Sequence, residues 1–126
     1  MKPTTRQKAL YYSSSLLITF IFTRLLLFIS PATNLYIGEY NVHHLYLGSL
    51  VLVISFILQM FNYSSLLLFV FSGIGTALVL DELIFLIVTD GSDHGYLSAI
   101  SLWGAVLFVV AALLMIIFLS LRRRSL

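Results

Sequence analysis

Residues 65–89 read SLLLFVFSGIGTALVLDELIFLIVT, an apolar run interrupted by one acidic pair. A helix needs about 20 apolar residues to cross a hydrocarbon core of about 30 Å. This run is long enough, and its polar and apolar residues do not alternate as they do in the strands of a membrane barrel. The stretch therefore predicts a transmembrane helix that carries Asp81 and Glu82 into the membrane.

Three other stretches meet the same length criterion. The four predicted transmembrane helices cover residues of about 10–30, 42–61, 65–89 and 97–121. The first run exceeds the 7–15 apolar residues of a signal peptide, so we expect it to be retained. The connections are short, and short connections make successive helices antiparallel neighbours. We therefore expect residues 1–126 to form one all-α transmembrane domain, an integral membrane antiparallel four-helix bundle.

The composition of the 126-residue chain also indicates a membrane protein. Hydrophobic residues make up 60% of the chain and charged residues 10%, and the mean hydropathy is +1.06. Soluble domains are roughly half apolar and a quarter charged, so a soluble globular fold is excluded, and the apolar excess excludes a disordered chain. The sequence contains no cysteine, which excludes disulfides, thiolate metal sites and a cysteine nucleophile.

The basic residues predict an orientation. Six of the seven lie near the two ends of the chain, at Lys2, Arg6, Lys8, Arg122, Arg123 and Arg124. An even number of crossings puts both ends on one side, and the positive-inside rule makes that side the cytoplasm. We expect the protein to lie in the cell (plasma) membrane. Glu39, Asp90 and Asp93 fall in the two outer loops. Contact with anionic headgroups accounts for the basic ends, so we expect membrane lipids and no nucleic acid as partners.

Ionisable residues at membrane depth are costly, and each is a candidate for a functional role. At a rise of 1.5 Å per residue, Arg24 lies about 9 Å and Asp81 about 12 Å below the outer ends of their helices. His43 and His44 open the second helix, and His94 lies in the last outer loop. All of these groups fall in the outer half of the membrane. We expect Arg24 to form a structural ion pair with Asp81 or Glu82.

Small and polar residues recur at helical spacing and mark the faces that we expect to point into the bundle, because they allow close helix packing in lipid. These faces comprise His44, Gly48, Ser55 and Gln59; Gly73, Thr76, Ala77 and Asp81; and Ser98, Ser101, Gly104 and Ala105. They would bring His44 and Asp81 into one interior space. Measured from the outer ends, Asp81 lies about 9 Å deeper, so we expect a ligand, metal or water, or a helix tilt, between the two.

Imidazole and carboxylate groups are ligands for divalent zinc, iron or manganese. The candidate metal ligands are His44, Asp81, Glu82, His43 and His94. Their spacing matches no known metal motif, and adjacent histidines on a regular helix diverge, so at most one of His43 and His44 would point inward unless the helix start is frayed. A structural interpretation, in which Arg24 neutralises a carboxylate and His44 bonds a loop carbonyl, accounts for the same residues. A titrating proton or cation pathway is the third interpretation.

The run His43-His44-Leu45-Tyr46-x-Gly48, followed by Gly73-x-Gly75-x-Ala77-Leu78-x-Leu80-Asp81-Glu82, resembles uncharacterised small four-helix bacterial integral membrane proteins. This resemblance covers helices two and three and implies no function. A looser similarity is to membrane hydrolases of the alkaline ceramidase type, which hold zinc with inward-facing His and Asp. Those enzymes have seven helices and further histidines in a late helix, which this chain lacks, so their activity is not carried over.

Three functions fit these features. The first is a non-catalytic binding or accessory protein with a polar site open to the outside, with or without a bound metal. It would act as a homo-oligomer or beside another membrane protein. The second is a metal-dependent hydrolase of a lipid-like substrate. The third is a small cation or proton transporter, but the inner half offers only a few polar residues, namely Ser55, Gln59, Ser72 and Thr76. The sequence therefore favours the first.

The orientation can be tested directly. We predict four crossings with both termini in the cytoplasm, because the basic residues gather at the two ends of the chain. An epitope tag placed at either terminus should become accessible to antibody only after the cells are permeabilised. Labelling of either tag on intact cells would contradict this topology.

Overall fold

The computed structural model describes residues 3–31 and 36–122, with the backbone alone at position 40. Lys2, Arg123 and Arg124, which contribute to the predicted orientation, lie outside these residues. The described elements are α1 (Thr5–Ile29), β1 (Tyr36–Ile37), β2 (Tyr40–Asn41), α2 (His44–Met60), α3 (Leu66–Val88), α4 (Asp93–Tyr96) and α5 (Ala99–Arg122). Apart from the small antiparallel hairpin of β1 and β2, the regular structure is helical, as the sequence predicts.

Three of these helices, α1, α3 and α5, are long and apolar enough to cross a membrane. The remaining apolar helix, α2, has 17 residues and a length of about 25 Å, which is less than the hydrocarbon thickness of about 30 Å. It is also shorter than the predicted segment 42–61. The structure thus supports a membrane protein with three helices that are long and apolar enough to span a membrane, and the number of crossings stays a prediction.

Local capping sets the ends of the helices. Thr4 forms a capping box with Gln7, so α1 begins at Thr5, before the apolar run itself. The turn after α2 is a Schellman motif, in which the Tyr63 amide bonds the Leu58 carbonyl and the Asn62 amide bonds the Gln59 carbonyl, both at 3.0 Å. Asn62 has a φ of 61°, a conformation that asparagine tolerates better than most residues. This tight turn makes α2 and α3 antiparallel neighbours.

The central element is α3. The other long helices α1, α2 and α5 each pack against it, and α1 also contacts α5. Its burial explains this arrangement, because eight of its residues are buried on several faces of the helix. The chain is therefore organised around α3 and not as four equivalent helices, and a closed four-helix bundle is not established.

Glycines allow α3 to approach its neighbours closely. A Cβ atom at Gly48 would stand 2.7 Å from the Gly75 carbonyl oxygen, where α2 crosses α3. A Cβ atom at Gly73 would stand 2.4 Å from the Tyr12 carbonyl oxygen of α1. Such contacts between backbones are typical of helices that associate in lipid. They place α1 and α2 against adjacent parts of the same central helix.

The core is small, and most large apolar side chains point outward. Its central cluster joins α1, α3 and α5 through Leu16, Phe20, Ala77, Ala105 and Val109. Of the small and polar residues expected to face inward, Gly48, Ser55, Gly73, Ala77, Asp81, Ser101 and Ala105 are buried. Gln59 is exposed instead, because it lies in the last turn of α2. An apolar perimeter around a polar and small-residue interior is the arrangement that a lipid environment favours.

The close contact at Gly73 predicts that a larger residue at this position lowers the stability of the protein. By helix propensity alone, Gly73→Ala should stabilise the protein by about 1 kcal/mol. We expect it to destabilise by about 1–3 kcal/mol, because the new Cβ overlaps the α1 backbone, which cannot rotate away. Denaturant unfolding in detergent, followed by circular dichroism, measures the difference.

Ala111 on α5 is exposed and provides the control. Ala111→Leu adds a larger group to the perimeter and should change the free energy of unfolding by less than about 0.5 kcal/mol. A Gly73→Ala variant as stable as the wild-type protein would show that α1 and α3 are not in backbone contact there.

Candidate functional site

The site is centred on Asp81, which is fully buried in α3. Its Oδ1 accepts a hydrogen bond from Arg24 Nε on α1. Its Oδ2 accepts one from the Tyr96 hydroxyl and lies 3.1 Å from His44 Nε2. A carboxylate surrounded by donors on both oxygens satisfies the requirement that a buried charge be paired and hydrogen-bonded. Asp81 thus joins α1, α2, α3 and α4.

Arg24 extends the same network toward α5. Its Nη2 donates to the Asp81 carbonyl at 2.9 Å, and its Nη1 donates to the Tyr96 carbonyl at 3.0 Å and to Ser101 Oγ at 3.3 Å. The guanidinium carbon lies 4.2 Å from the centre of the Tyr96 ring, a distance typical of a cation–π interaction. The side chain is only 11% exposed. Of the two partners expected for Arg24, the structure places Asp81 beside it.

Glu82, the next residue, faces a different neighbour. Its Oε2 accepts the Leu45 amide of α2 at 2.7 Å, and its Oε1 lies 3.1 Å from His43 Nδ1 and 3.3 Å from His44 Nδ1. The first turn of α2 has no acidic residue, and its N-cap His43 makes no capping bond with its side chain. Glu82 supplies both a hydrogen-bond acceptor and a negative charge to this helix N-terminus.

The contact between His44 and Asp81 corrects the expected offset of about 9 Å. His44 lies about 24 Å along α2 from Met60, and Asp81 lies about 23 Å along α3 from Leu66. Because the two helices are joined by a short turn at those ends, the two residues are level, and α3 simply continues further. They meet directly, with no ligand or water required between them.

Both neighbouring histidines reach the carboxylates, which the regular-helix argument does not predict. His43 is the N-cap residue of α2, with φ −64° and ψ 139°, so it precedes the helical geometry in which adjacent side chains diverge. Its ring contacts Glu82, while the His44 ring lies between Glu82 and Asp81. The side chains of His43 and His44 therefore do not diverge as they would inside a regular helix.

The last candidate, His94, is exposed on α4 and does not join the cluster. Tyr96, two residues further along the same short helix, does so instead. From the sequence Tyr96 is an interfacial aromatic residue, and no spacing signal places it over Asp81. Burial and the Asp81 carboxylate raise the pKa of Tyr96, so its hydroxyl remains a hydrogen-bond donor.

A cavity of about 130 Å³ adjoins the two histidines and Glu82. Its wall combines polar groups with apolar side chains, including Asn41, Asp93, Leu27, Leu47, Phe85 and Leu97. Asp93 is exposed at this surface. The cluster is therefore reached from the loops that the orientation argument assigns to the outside.

The charges of the cluster do not balance when its histidines are neutral. Asp81 and Glu82 contribute two negative charges and Arg24 one positive charge, which leaves a net charge of −1. The positive end of the α2 helix dipole offsets part of this charge, and a cation beside the cluster would offset the rest. The His44 ring lies between the two carboxylates, with one ring nitrogen facing each of them.

The metal expectation finds no support in this geometry. Within residues 3–31 and 36–122, no three of the His, Asp and Glu side chains are placed so that they could hold a metal ion together. Two carboxylate oxygens are already occupied by Arg24 and Leu45. A divalent ion would require the histidine rings to turn toward it.

Comparison with known protein families, with curated proteins and with solved structures finds no match to this chain.

The pair of Arg24 and Asp81 makes a prediction about stability. Arg24→Leu should lower the free energy of unfolding by about 3–5 kcal/mol, because it leaves Asp81 buried without its cationic partner. The double variant Arg24→Leu/Asp81→Asn should recover part of this loss, since it removes both charges. Denaturant unfolding in detergent measures both variants.

Arg6, which is exposed on the same helix, provides the matched control. Arg6→Leu should change stability by less than about 0.5 kcal/mol. Equal stability of Arg24→Leu and wild type would mean that the guanidinium lies at the outer surface and does not pair with Asp81.

Proposed function

We propose that this chain is a small multi-pass membrane protein that binds a cation at a His/carboxylate site in the outer half of the membrane. The observation that carries the proposal is the unbalanced charge around His44. Its two ring nitrogens lie 3.1 Å from Asp81 Oδ2 and 3.3 Å from Glu82 Oε1. One cation, added at or beside this ring, would neutralise the cluster.

The cation can be a proton or a divalent metal ion. A proton suits the arrangement as it stands, because an imidazolium can donate from both ring nitrogens. A metal ion needs a deprotonated ring nitrogen, so a proton and a metal would compete for His44. His43 would supply the second imidazole once both rings turn toward the metal.

The surroundings support entry of the cation from the outside. In the proposed four-crossing topology, Glu39, Asp90 and Asp93 belong to the outer loops, and Asp93 also lines the cavity beside the cluster. Acidic groups near a narrow opening raise the local concentration of cations. The same topology puts both termini in the cytoplasm.

The inner half favours binding over transport. The Tyr12 hydroxyl shares a hydrogen bond of 2.6 Å with Thr76 Oγ1, and Ser72 Oγ donates to the Leu68 carbonyl at 2.8 Å. These groups are hydrogen-bonded to one another or to backbone carbonyls, and no carboxylate or histidine is among them. We therefore propose a binding protein and not a transporter.

Calorimetric titration tests whether the site binds a divalent metal ion. The purified protein is titrated with Zn²⁺ or Mn²⁺ at neutral pH, in buffers of different ionisation enthalpy. A bound metal should displace a proton from the cluster, and binding should be lost in His44→Gln. The exposed His94→Gln variant is the control and should bind as the wild-type protein does.

Nitrogen-15 NMR of histidine-labelled protein tests whether the site holds a proton. If the site holds a proton, the His44 resonances at neutral pH should be those of an imidazolium and should be absent in His44→Gln. A neutral His44 in a protein that binds neither metal would contradict the proposal.

A further inference from the structure

A second cavity lies at the opposite end of the molecule, between α1 and α5. Its volume is about 460 Å³, within the range of small-molecule binding sites. Lys8 lies sixteen residues before Arg24 on α1, so this cavity is about 24 Å from the His/carboxylate site along the helix. It shares no residue with that site, and its role is independent of the function proposed above.

The lining changes from polar to apolar along the two helices. On α1, Thr5 and Lys8 are followed by Ala9 and Tyr12, deeper in the molecule. On α5, which runs in the opposite direction, Arg122 and Ser120 lie at the same end as Lys8, and Leu119 and Ile116 lie deeper. The groove thus has two cationic side chains and two hydroxyl groups at its mouth, and an apolar channel below them.

The positive charge at the mouth is held in place on one side. The Lys8 ammonium lies 5.2 Å from the centre of the Phe69 ring of α3, a cation–π geometry. Phe69 also lines the groove, so the charge stands directly above the apolar channel. None of the described residues that line the cavity is acidic.

We propose that this groove binds one anionic phospholipid, with the phosphate between Lys8 and Arg122 and an acyl chain along Ala9, Ile116 and Leu119. Two features select this occupant. The paired cations complement a phosphate, as basic pockets between transmembrane helices do on the cytoplasmic side. The apolar channel runs parallel to helices that are long enough to cross the membrane, the direction in which acyl chains lie, so a soluble anion would leave it unfilled.

Native mass spectrometry of the full chain in detergent, titrated with phosphatidylglycerol or with phosphatidylcholine of the same acyl chains, tests the headgroup. The wild-type protein should bind one phosphatidylglycerol in preference to phosphatidylcholine. Lys8→Gln/Arg122→Gln should weaken phosphatidylglycerol binding by about 30-fold, which corresponds to ~1 kcal/mol for each basic residue. Arg6→Gln, a change at an exposed basic residue outside the groove, should weaken it by less than about twofold.

A second experiment tests the binding of the acyl chain. Ile116→Trp should fill the channel and weaken phosphatidylglycerol binding while both cations remain, and inorganic phosphate should not compete for the site. Circular dichroism should show the same helical content in each variant. Equal binding of the two phospholipids, an Arg6→Gln effect as large as that of the double variant, or full competition by phosphate would overturn the proposal.

Discussion

The interaction on which the rest of the structure depends is the bond between the Arg24 guanidinium and the buried Asp81 carboxylate. A single charge in this environment would be unfavourable by several kcal/mol. Two opposite charges are acceptable only when their remaining donors and acceptors are also satisfied, and here Tyr96, Ser101 and the Asp81 carbonyl complete the set. The pair therefore requires α1, α3, α4 and α5 to be present together in one arrangement.

The small residues of α3 make this arrangement possible. Gly73 and Gly75 bring the backbones of α1 and α2 close to the central helix, and Asp81 and Glu82 lie two turns further toward the C-terminal end of α3. Close packing at the glycines sets the positions of α1 and α2 along the axis of α3. In these positions Arg24 is level with Asp81, and the start of α2 is level with Glu82. Packing of apolar helices thus positions the polar cluster, and the cluster in turn fixes which faces meet.

The sequence predicts much of this organisation and misses part of the site. Helical periodicity and the cost of charge in lipid are local properties, so the long apolar helices, the inward face of α3 and the acidic partners of Arg24 can all be inferred from spacing. The expected offset between His44 and Asp81 is wrong. It is measured from the ends of the two helices near these residues, and α3 continues beyond the point where α2 begins. Counting from the turn that joins them would have placed His44 beside Asp81.

Other features depend on tertiary structure that spacing does not specify. Tyr96 enters the site because the short α4 turns it toward Asp81, whereas the exposed His94 stays out of the cluster. His43 contacts Glu82 because it is an N-cap residue, and a one-residue shift of the helix start would remove that contact. The helix ends also depend on tertiary structure, and α2 is shorter than its apolar run.

The central claim is that Asp81 is an ionised carboxylate inside the protein, held by Arg24 and Tyr96. Infrared spectroscopy of the protein in lipid bilayers distinguishes a carboxylate from a protonated carboxyl group by its carbonyl stretch, and Asp81→Asn assigns the signal to this residue. At neutral pH, the wild-type-minus-Asp81→Asn difference spectrum should contain carboxylate bands and no protonated carboxyl band. A protonated carboxyl band that disappears in Asp81→Asn would contradict the account, because a neutral Asp81 would not require Arg24 beside it.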